Sequence, residues 1–343
     1  MNRVLVPLQM DGAMPLLGAR VQQLDGQTMG TTWQVRWVGQ GNGPQSQQAE
    51  AVRVAVQGVL DLVVAQMSTW LPGSDLDRFN RAGAGSRHVL PEAMADVLDA
   101  ALWLAQVSGG AFNPAAGALV NAWGFGPSPR YTDPGFAPPD SEAVQLALAR
   151  QDWRRLRWDR TKREAQQPGG LLLDFSAIAK GHAVDLVSRR LAAIGIGHTL
   201  VEVGGELRGQ GLRPDGQPWW VDLETPPTCA GQAPLPTTRV ALHGLCVATS
   251  GDYRRVYTHG GQRLPHTLDP RHGQPVSHGL ASVSVVHTEC LWADAWSTAL
   301  TVLGVQDGLA LARAHGVAAL FVQREADGRF TETLSPAMEA LAE

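Results

Sequence analysis

Asp174-Phe175-Ser176-Ala177-Ile178-Ala179-Lys180-Gly181 closes one apolar run, Leu171 to Leu173, and opens a second pattern with a different period. Beyond Lys180 the apolar residues fall at Val184, Val187, Leu191 and Ile194, the spacing of one helical face, before Gly195 and Gly197. The stretch therefore reads as a strand handing over to a helix. A carboxylate, a hydroxyl, a small-residue turn and a lysine share that junction. A helix start offers unpaired backbone N–H groups and the positive end of a dipole, which suits a phosphate-bearing ligand.

Composition narrows the setting of such a site. With 343 residues, 44% hydrophobic and 17% charged, the chain is long and apolar enough for a substantial core. A formal charge of −4 gives no global attraction to nucleic acid or anionic lipid, so phosphate recognition has to be local, in a pocket. The three cysteines, Cys229, Cys246 and Cys290, are odd in number and lack CxxC spacing, which excludes a disulfide framework and a thiolate zinc site. No run approaches the ~20 apolar residues of a transmembrane helix. Near the N-terminus Val4-Leu5-Val6-Pro7-Leu8-Gln9 is too short and interrupted for a signal-peptide core, and no lipidated-cysteine site follows. On that evidence a cytoplasmic location is expected.

Taken in order, Thr31–Val38 alternates as a strand, and Gln48–Gln66 has helical spacing. Ser68–Asn80 reads as a loop closing in a short helical turn capped by Ser74. A helix over 91–107 ends at Gly109-Gly110, with Phe112 and Trp123 beyond it as core residues. Trp153–Trp158 and Leu171–Leu173 read as strands, and Gly124–Ser141 as a surface loop. Gly204-Gly205 marks a hairpin between strands 198–203 and 206–211. Further strands are predicted at 219–224, 240–242, 246–248, 281–286 and 320–322, a solvent loop at Thr225–Pro236, and a helix over 291–303. Strands interspersed with helices and joined by tight turns predict an α+β fold, with mixed and antiparallel sheets and flanking helices.

Single residues are ambiguous. Asp294 and Thr298, four apart on a predicted helix, project from one face and offer a carboxylate and a hydroxyl oxygen, hard ligands that suit Mg²⁺ or Ca²⁺. An Asp in a first helical turn is equally a dipole partner. Lys180 alone reads as a solvated helix residue, and His266 alone as a structural one.

Joint occurrence resolves this. Met29-Gly30-Thr31, Ser68-Thr69-Trp70, Gly110-Ala111-Phe112-Asn113-Pro114, Asp174–Gly181, Val203-Gly204-Gly205-Glu206, Ala248-Thr249-Ser250-Gly251-Asp252-Tyr253, His266-Thr267-Leu268-Asp269-Pro270 and Ala293-Asp294-Ala295-Trp296-Ser297-Thr298-Ala299 occur in one order. In this the chain resembles the FAD:protein FMN transferases, the ApbE-like flavin transferases. The resemblance implies a flavin transferase domain over 28–323, between an N-terminal extension (1–27) and a C-terminal tail (324–343). It implies an enzyme that splits FAD at its pyrophosphate, releases AMP and joins FMN by a phosphoester to a Thr or Ser of a target flavoprotein.

The resemblance assigns Mg²⁺ to Asp294, Thr298 and the main-chain oxygen of Ala177, and flavin-nucleotide contacts to Met29, Trp70, Ala111, Phe112, Asn113, Asp174, Lys180 and His266. Lys180 suits phosphate as a point charge; Asp174 suits a hydroxyl or amino donor; His266 is alternatively the general base, and Asp294 serves catalysis through the metal. Some positions depart from the family pattern. Trp70 replaces a common tyrosine, Asn113 an aspartate, Ala115-Ala116 a Thr-Val pair and Ser297 an alanine. Two other readings share the residues: an FAD pyrophosphatase giving FMN and AMP, and a carrier that holds FAD without turnover. Relatives also imply the periplasmic face of the inner membrane as an alternative location.

Overall fold

Alternation of buried side chains along the strands builds the centre of the molecule, because successive residues of a strand face opposite sides of the sheet. In Leu245–Gly251, Cys246 and Ala248 enter one core and Val247 the other; in Ala318–Arg324, Ala319 and Phe321 take the first side and Ala318, Leu320 and Val322 the second. A sheet apolar on both faces has to be covered on both.

The computed structural model describes residues 2–10, 14–15, 18–39, 45–226, 235–252 and 255–342. Among the described residues eight strands form the main sheet: β1 (Val21–Thr28), β2 (Thr31–Val38), β3 (Thr199–Val203), β4 (Glu206–Gln210), β5 (Leu245–Gly251), β6 (Leu280–His287), β7 (Ala318–Arg324) and β8 (Phe330–Leu334). Their spatial order is their chain order, and every neighbouring pair is antiparallel. Insertions between the strands carry the helices α1 (Gln45–Met67), α2 (Asp75–Arg81), α3 (Glu92–Val107), α4 (Ala179–Ala193) and α5 (Cys290–His315). Helix α5 lies on β5 and β6 and against α4, which in turn packs on α1. The other face is covered by a small sheet in which Arg3–Leu5 runs parallel to Thr238–Leu242, itself antiparallel to Trp219–Asp222. The flanks of the sequence thus supply strands, since β1 and β8 are the two edges of the main sheet.

The α+β expectation holds, as do the Gly204-Gly205 hairpin and the Ser74 cap, whose Oγ accepts the Asp77 N–H at 2.9 Å. Phe112 and Trp123 are buried. Two expectations change. Leu171–Leu173 is no strand: only Leu172 makes an isolated bridge, to Ala116. Side-chain amides replace a partner strand there. Asn80 Oδ1 accepts the Leu173 N–H and its Nδ2 donates to the Leu173 carbonyl, both at 2.8 Å, while Gln167 treats Leu171 likewise at 3.3 and 3.1 Å. Trp153–Arg155 is a 3₁₀ turn, with a strand only at Arg157–Asp159. The predicted helix over 291–303 ends at Gly304, whose φ of +75° breaks the helical path before a second helical stretch continues to His315. Cys229, most of the Thr225–Pro236 loop and Tyr253 lie outside the described residues.

Two outcomes follow from buried polar groups. Asn80→Leu strands the Leu173 N–H and carbonyl and is expected to lower unfolding free energy by about 2 to 4 kcal/mol in chemical denaturation; a change under ~0.5 kcal/mol would deny the amide its role. His182, 3% exposed on α4, is held neutral by burial, with Arg189 adding repulsion, and its pKa is pushed down to about 4. The unfolded chain takes up that proton first. Stability is expected to fall by about 3 kcal/mol as pH drops from ~6.5 to ~4, and His182→Gln should flatten that slope.

Candidate active site

One rim of the main sheet collects the turns between β1 and β2 and between β3 and β4, the end of β5 and the start of β6. The first turn puts Met29 at φ +49° and Gly30 at +69°, a left-handed pair that matches strand twist but strains a methionine. It touches the second turn: the Gly204 N–H donates to the Thr32 carbonyl at 3.0 Å, and a methyl on Gly204 would meet Thr31 at 2.9 Å. Directly after Gly205, Glu206 points its carboxylate at α4.

There it meets Lys180. The Lys180 ammonium donates to Glu206 Oε1 at 2.9 Å and lies 3.3 and 3.4 Å from the two carboxylate oxygens of Asp294 on α5. Both carboxylate side chains are 4% exposed. Burial lowers the Lys180 pKa; the charges of Asp294 and Glu206 outweigh it and hold the pKa above the ordinary lysine value. Lys180 is therefore not a solvated helix residue.

A missing side chain allows the two helices to meet. A Cβ on Gly181 would lie 2.2 Å from the Cys290 carbonyl oxygen and 2.7 Å from Asp294 Cβ. The close approach lets the Gly181 N–H donate to Asp294 Oδ2 at 2.9 Å. In regular helical register that N–H would go to the Ala177 carbonyl, but Ile178 (φ −152°) breaks the register. The Ala177 oxygen thereby loses its usual donor. The start of α5 is fixed from the same helix, since Asp185 Oδ2 accepts the Leu291 N–H at 2.9 Å while Oδ1 holds Arg208 at 2.8 Å.

Three hydroxyls complete the rim. Ser297 Oγ donates its hydrogen to the Asp294 carbonyl at 2.8 Å, so at the 2.7 Å contact with Ser250 Oγ it accepts. Ser250 has then spent its own hydrogen, and at 3.1 Å it accepts from Thr298 Oγ1. Thr298 Oγ1 is left with lone pairs only. Among the described residues no three His, Cys, Asp or Glu side chains gather as a metal site. A cation here would depend on the set that is present: the Asp294 carboxylate, the Thr298 oxygen and the Ala177 carbonyl, all hard oxygens of the kind Mg²⁺ takes. That set fits.

The remaining residues fall into other groups. Asp174 accepts the Ser176 N–H at 2.8 Å, and its own N–H donates to the Pro114 carbonyl at 2.8 Å. This ties it to the neighbouring segment, where Asn113 Oδ1 accepts from the Ala115 N–H and Nδ2 reaches the Gln151 carbonyl. Ala111 and Phe112 are buried, at 1% and 4% exposure, and serve packing through their side chains. Trp70 is 53% exposed in the loop after α1. His266 follows a two-stranded hairpin (Val256–His259 and Gln262–Pro265); its Nδ1 lies 3.1 Å from the Arg255 carbonyl and its ring packs edge-on to Phe125. Because a carbonyl only accepts, Nδ1 carries a proton in that contact. Sequence reasoning gave no role to Asp185, Glu206 or Ser250. For Asp185 a signal was visible: a carboxylate among the apolar positions of α4.

These features define an α+β enzyme site built where two helices meet the rim of an antiparallel sheet. The sequence pattern of the ApbE family matches residues 29–321. A FAD:protein FMN transferase of Klebsiella pneumoniae (strain 342) is 36% identical over 316 residues, 91% of this chain and 87% of the relative. The solved flavinyl transferase ApbE of Pseudomonas stutzeri superposes with a TM-score of 0.84 at 40% identity, covering 96% of this chain and 98% of that one. A flavin transferase ApbE of Vibrio cholerae gives 0.83 at 31% identity, over 94% and 99%. The chain belongs to the ApbE family.

The helix contact is testable. Gly181→Ala is expected to force α4 and α5 apart at a cost of about 1 to 3 kcal/mol and to break the Asp294 hydrogen bond. Unchanged stability on thermal unfolding would show that the contact yields without strain.

Proposed function

We propose that this chain is a Mg²⁺-dependent FAD:protein FMN transferase, moving the FMN moiety of FAD to a Thr or Ser hydroxyl of a target flavoprotein and releasing AMP. The observation that carries the reading is the contact of Lys180 with Asp294, one helical turn before Thr298, together with the Gly181 N–H, which in helical register would serve the Ala177 carbonyl and is given to Asp294 instead. Family membership and the names of its relatives support it.

Asp294, Thr298 and the Ala177 oxygen are the residues that would hold Mg²⁺, which when bound neutralises charge on pyrophosphate oxygens. The chain's own groups account for the rest. Lys180 stays cationic between its carboxylates and offers a point charge to phosphate. Met29, kept in a strained turn, and the exposed ring of Trp70 present polarisable and aromatic surface to flat rings. Asp174 and the Ala111–Asn113 segment offer acceptors to hydroxyl and amino donors. The acceptor hydroxyl oxygen attacks the FMN phosphorus as the bond to the AMP phosphate breaks, and AMP departs. His266 contacts the nucleotide or, alternatively, takes the hydroxyl proton as general base.

The test is incubation with FAD, Mg²⁺ and a flavoprotein domain bearing an exposed threonine, followed by intact mass measurement. The expected result is a mass gain of one FMN on the target, with AMP in solution. FAD left whole with an unmodified target would sink the enzymatic reading, and FMN released without target gain would select hydrolysis. Asp294→Ala is expected to abolish transfer while FAD binding survives in part; unchanged turnover would remove Asp294 from the metal site.

A further inference from the structure

The carboxylate that approaches Lys180 most closely is not Asp294. Lys180 Nζ is 2.9 Å from Glu206 Oε1 but 3.3 and 3.4 Å from the oxygens of Asp294. Glu206 is fixed by its place in the chain, the first residue of β4 directly after the Gly204-Gly205 turn, with a side chain only 4% exposed. That turn is braced in its own right: the Gly205 N–H donates to Glu202 Oε1 at 2.7 Å and the Gly204 N–H to the Thr32 carbonyl at 3.0 Å.

We infer that Glu206 is a positioning residue for the metal site: it draws the Lys180 ammonium away from Asp294, so that the Asp294 carboxylate stays available to a divalent cation. The inference rests on the reading of Asp294 as a cation ligand. Its physical basis is competition. An ammonium and a divalent cation are drawn to the same buried carboxylate, and an ammonium that pairs with Asp294 alone neutralises it. With Glu206 present, two buried carboxylates share one ammonium, and Asp294 is not held in a closed pair. Without the Glu206 charge, Lys180 and Asp294 close into a neutral pair. The metal then has to displace the lysine before it binds.

The test uses the full chain, with Mn²⁺ as the probe and ADP as a pyrophosphate that carries no flavin; free Mn²⁺ is followed by its electron paramagnetic resonance signal. Glu206→Gln is expected to raise the Mn²⁺ Kd by ~10-fold or more. In a Lys180→Met background the same change should cost less than ~3-fold, because the competitor is gone. Glu206→Asp keeps the charge but retracts it from Nζ, so it should also weaken Mn²⁺; it serves as the readout if the glutamine variant does not fold. A Glu206→Gln Kd within twofold of the parent, or an equal loss with and without Lys180, overturns the positioning role. Asp294→Asn separates the two readings. If it leaves Mn²⁺ binding intact, or if the parent binds no Mn²⁺ with ADP, the metal reading fails and takes the inference with it. If it abolishes binding while Glu206→Gln does nothing, only the inference fails.

Discussion

At Gly181 the backbone of α4 comes against α5 more closely than any side chain would permit, and much of the candidate site is a consequence of that approach. The contact brings the Gly181 N–H within reach of Asp294, sets Asp294 beside Lys180, and leaves the Ala177 carbonyl without its helical donor. Asp185, one turn further along α4, accepts the Leu291 N–H in the first turn of α5 and ties the same interface a second time. Helix–helix geometry and ligand geometry are therefore one constraint. A helix start offers unpaired backbone groups as a matter of course; here one of them, the Gly181 N–H, is paired across an interface with Asp294 and not with the Ala177 carbonyl.

The hydroxyls carry a second kind of order. Counting hydrogens from the Asp294 carbonyl through Ser297 and Ser250 to Thr298 gives a chain that runs in one direction. A threonine hydroxyl is ordinarily both donor and acceptor. At the end of this chain Thr298 keeps only acceptor capacity, the state a cation ligand needs. The Ser297 hydroxyl, bonded to the Asp294 carbonyl, is what starts the chain.

How much of this was legible in the sequence depended on how local the cause was. The Ser74 cap, the Gly204-Gly205 turn and the α4 stripe were read correctly because the residues that decide them are within a few positions of one another. Leu171–Leu173 misled because its backbone partners are the side chains of Asn80 and Gln167, and Asn80 lies 93 residues from Leu173. β8 was missed because Phe330–Leu334 is an edge strand with mostly polar residues and little apolar alternation. Lys180, Asp294 and Thr298 stand out as site residues through helical spacing and family resemblance; the structure brings Lys180 to Asp294, with Thr298 one turn further along α5. What resemblance did not supply was Glu206 as the nearest partner of Lys180, since an ion pair across 26 positions leaves no mark on periodicity.

The in-order sheet has a consequence for how the protein comes into being. Every strand lies beside its sequence neighbours, so the sheet can be extended from one edge as the chain lengthens. Lys180 and Glu206 can pair once β4 is laid down, whereas Asp294 is 114 residues beyond Lys180 and arrives only after β5 and β6 have taken their places. Such a distant contact carries a loop-closure cost that the earlier strands have to offset first. The site is thus the last part of the rim to assemble, and a nascent chain that stops short of α5 holds its lysine on Glu206 with no completed centre to offer a nucleotide.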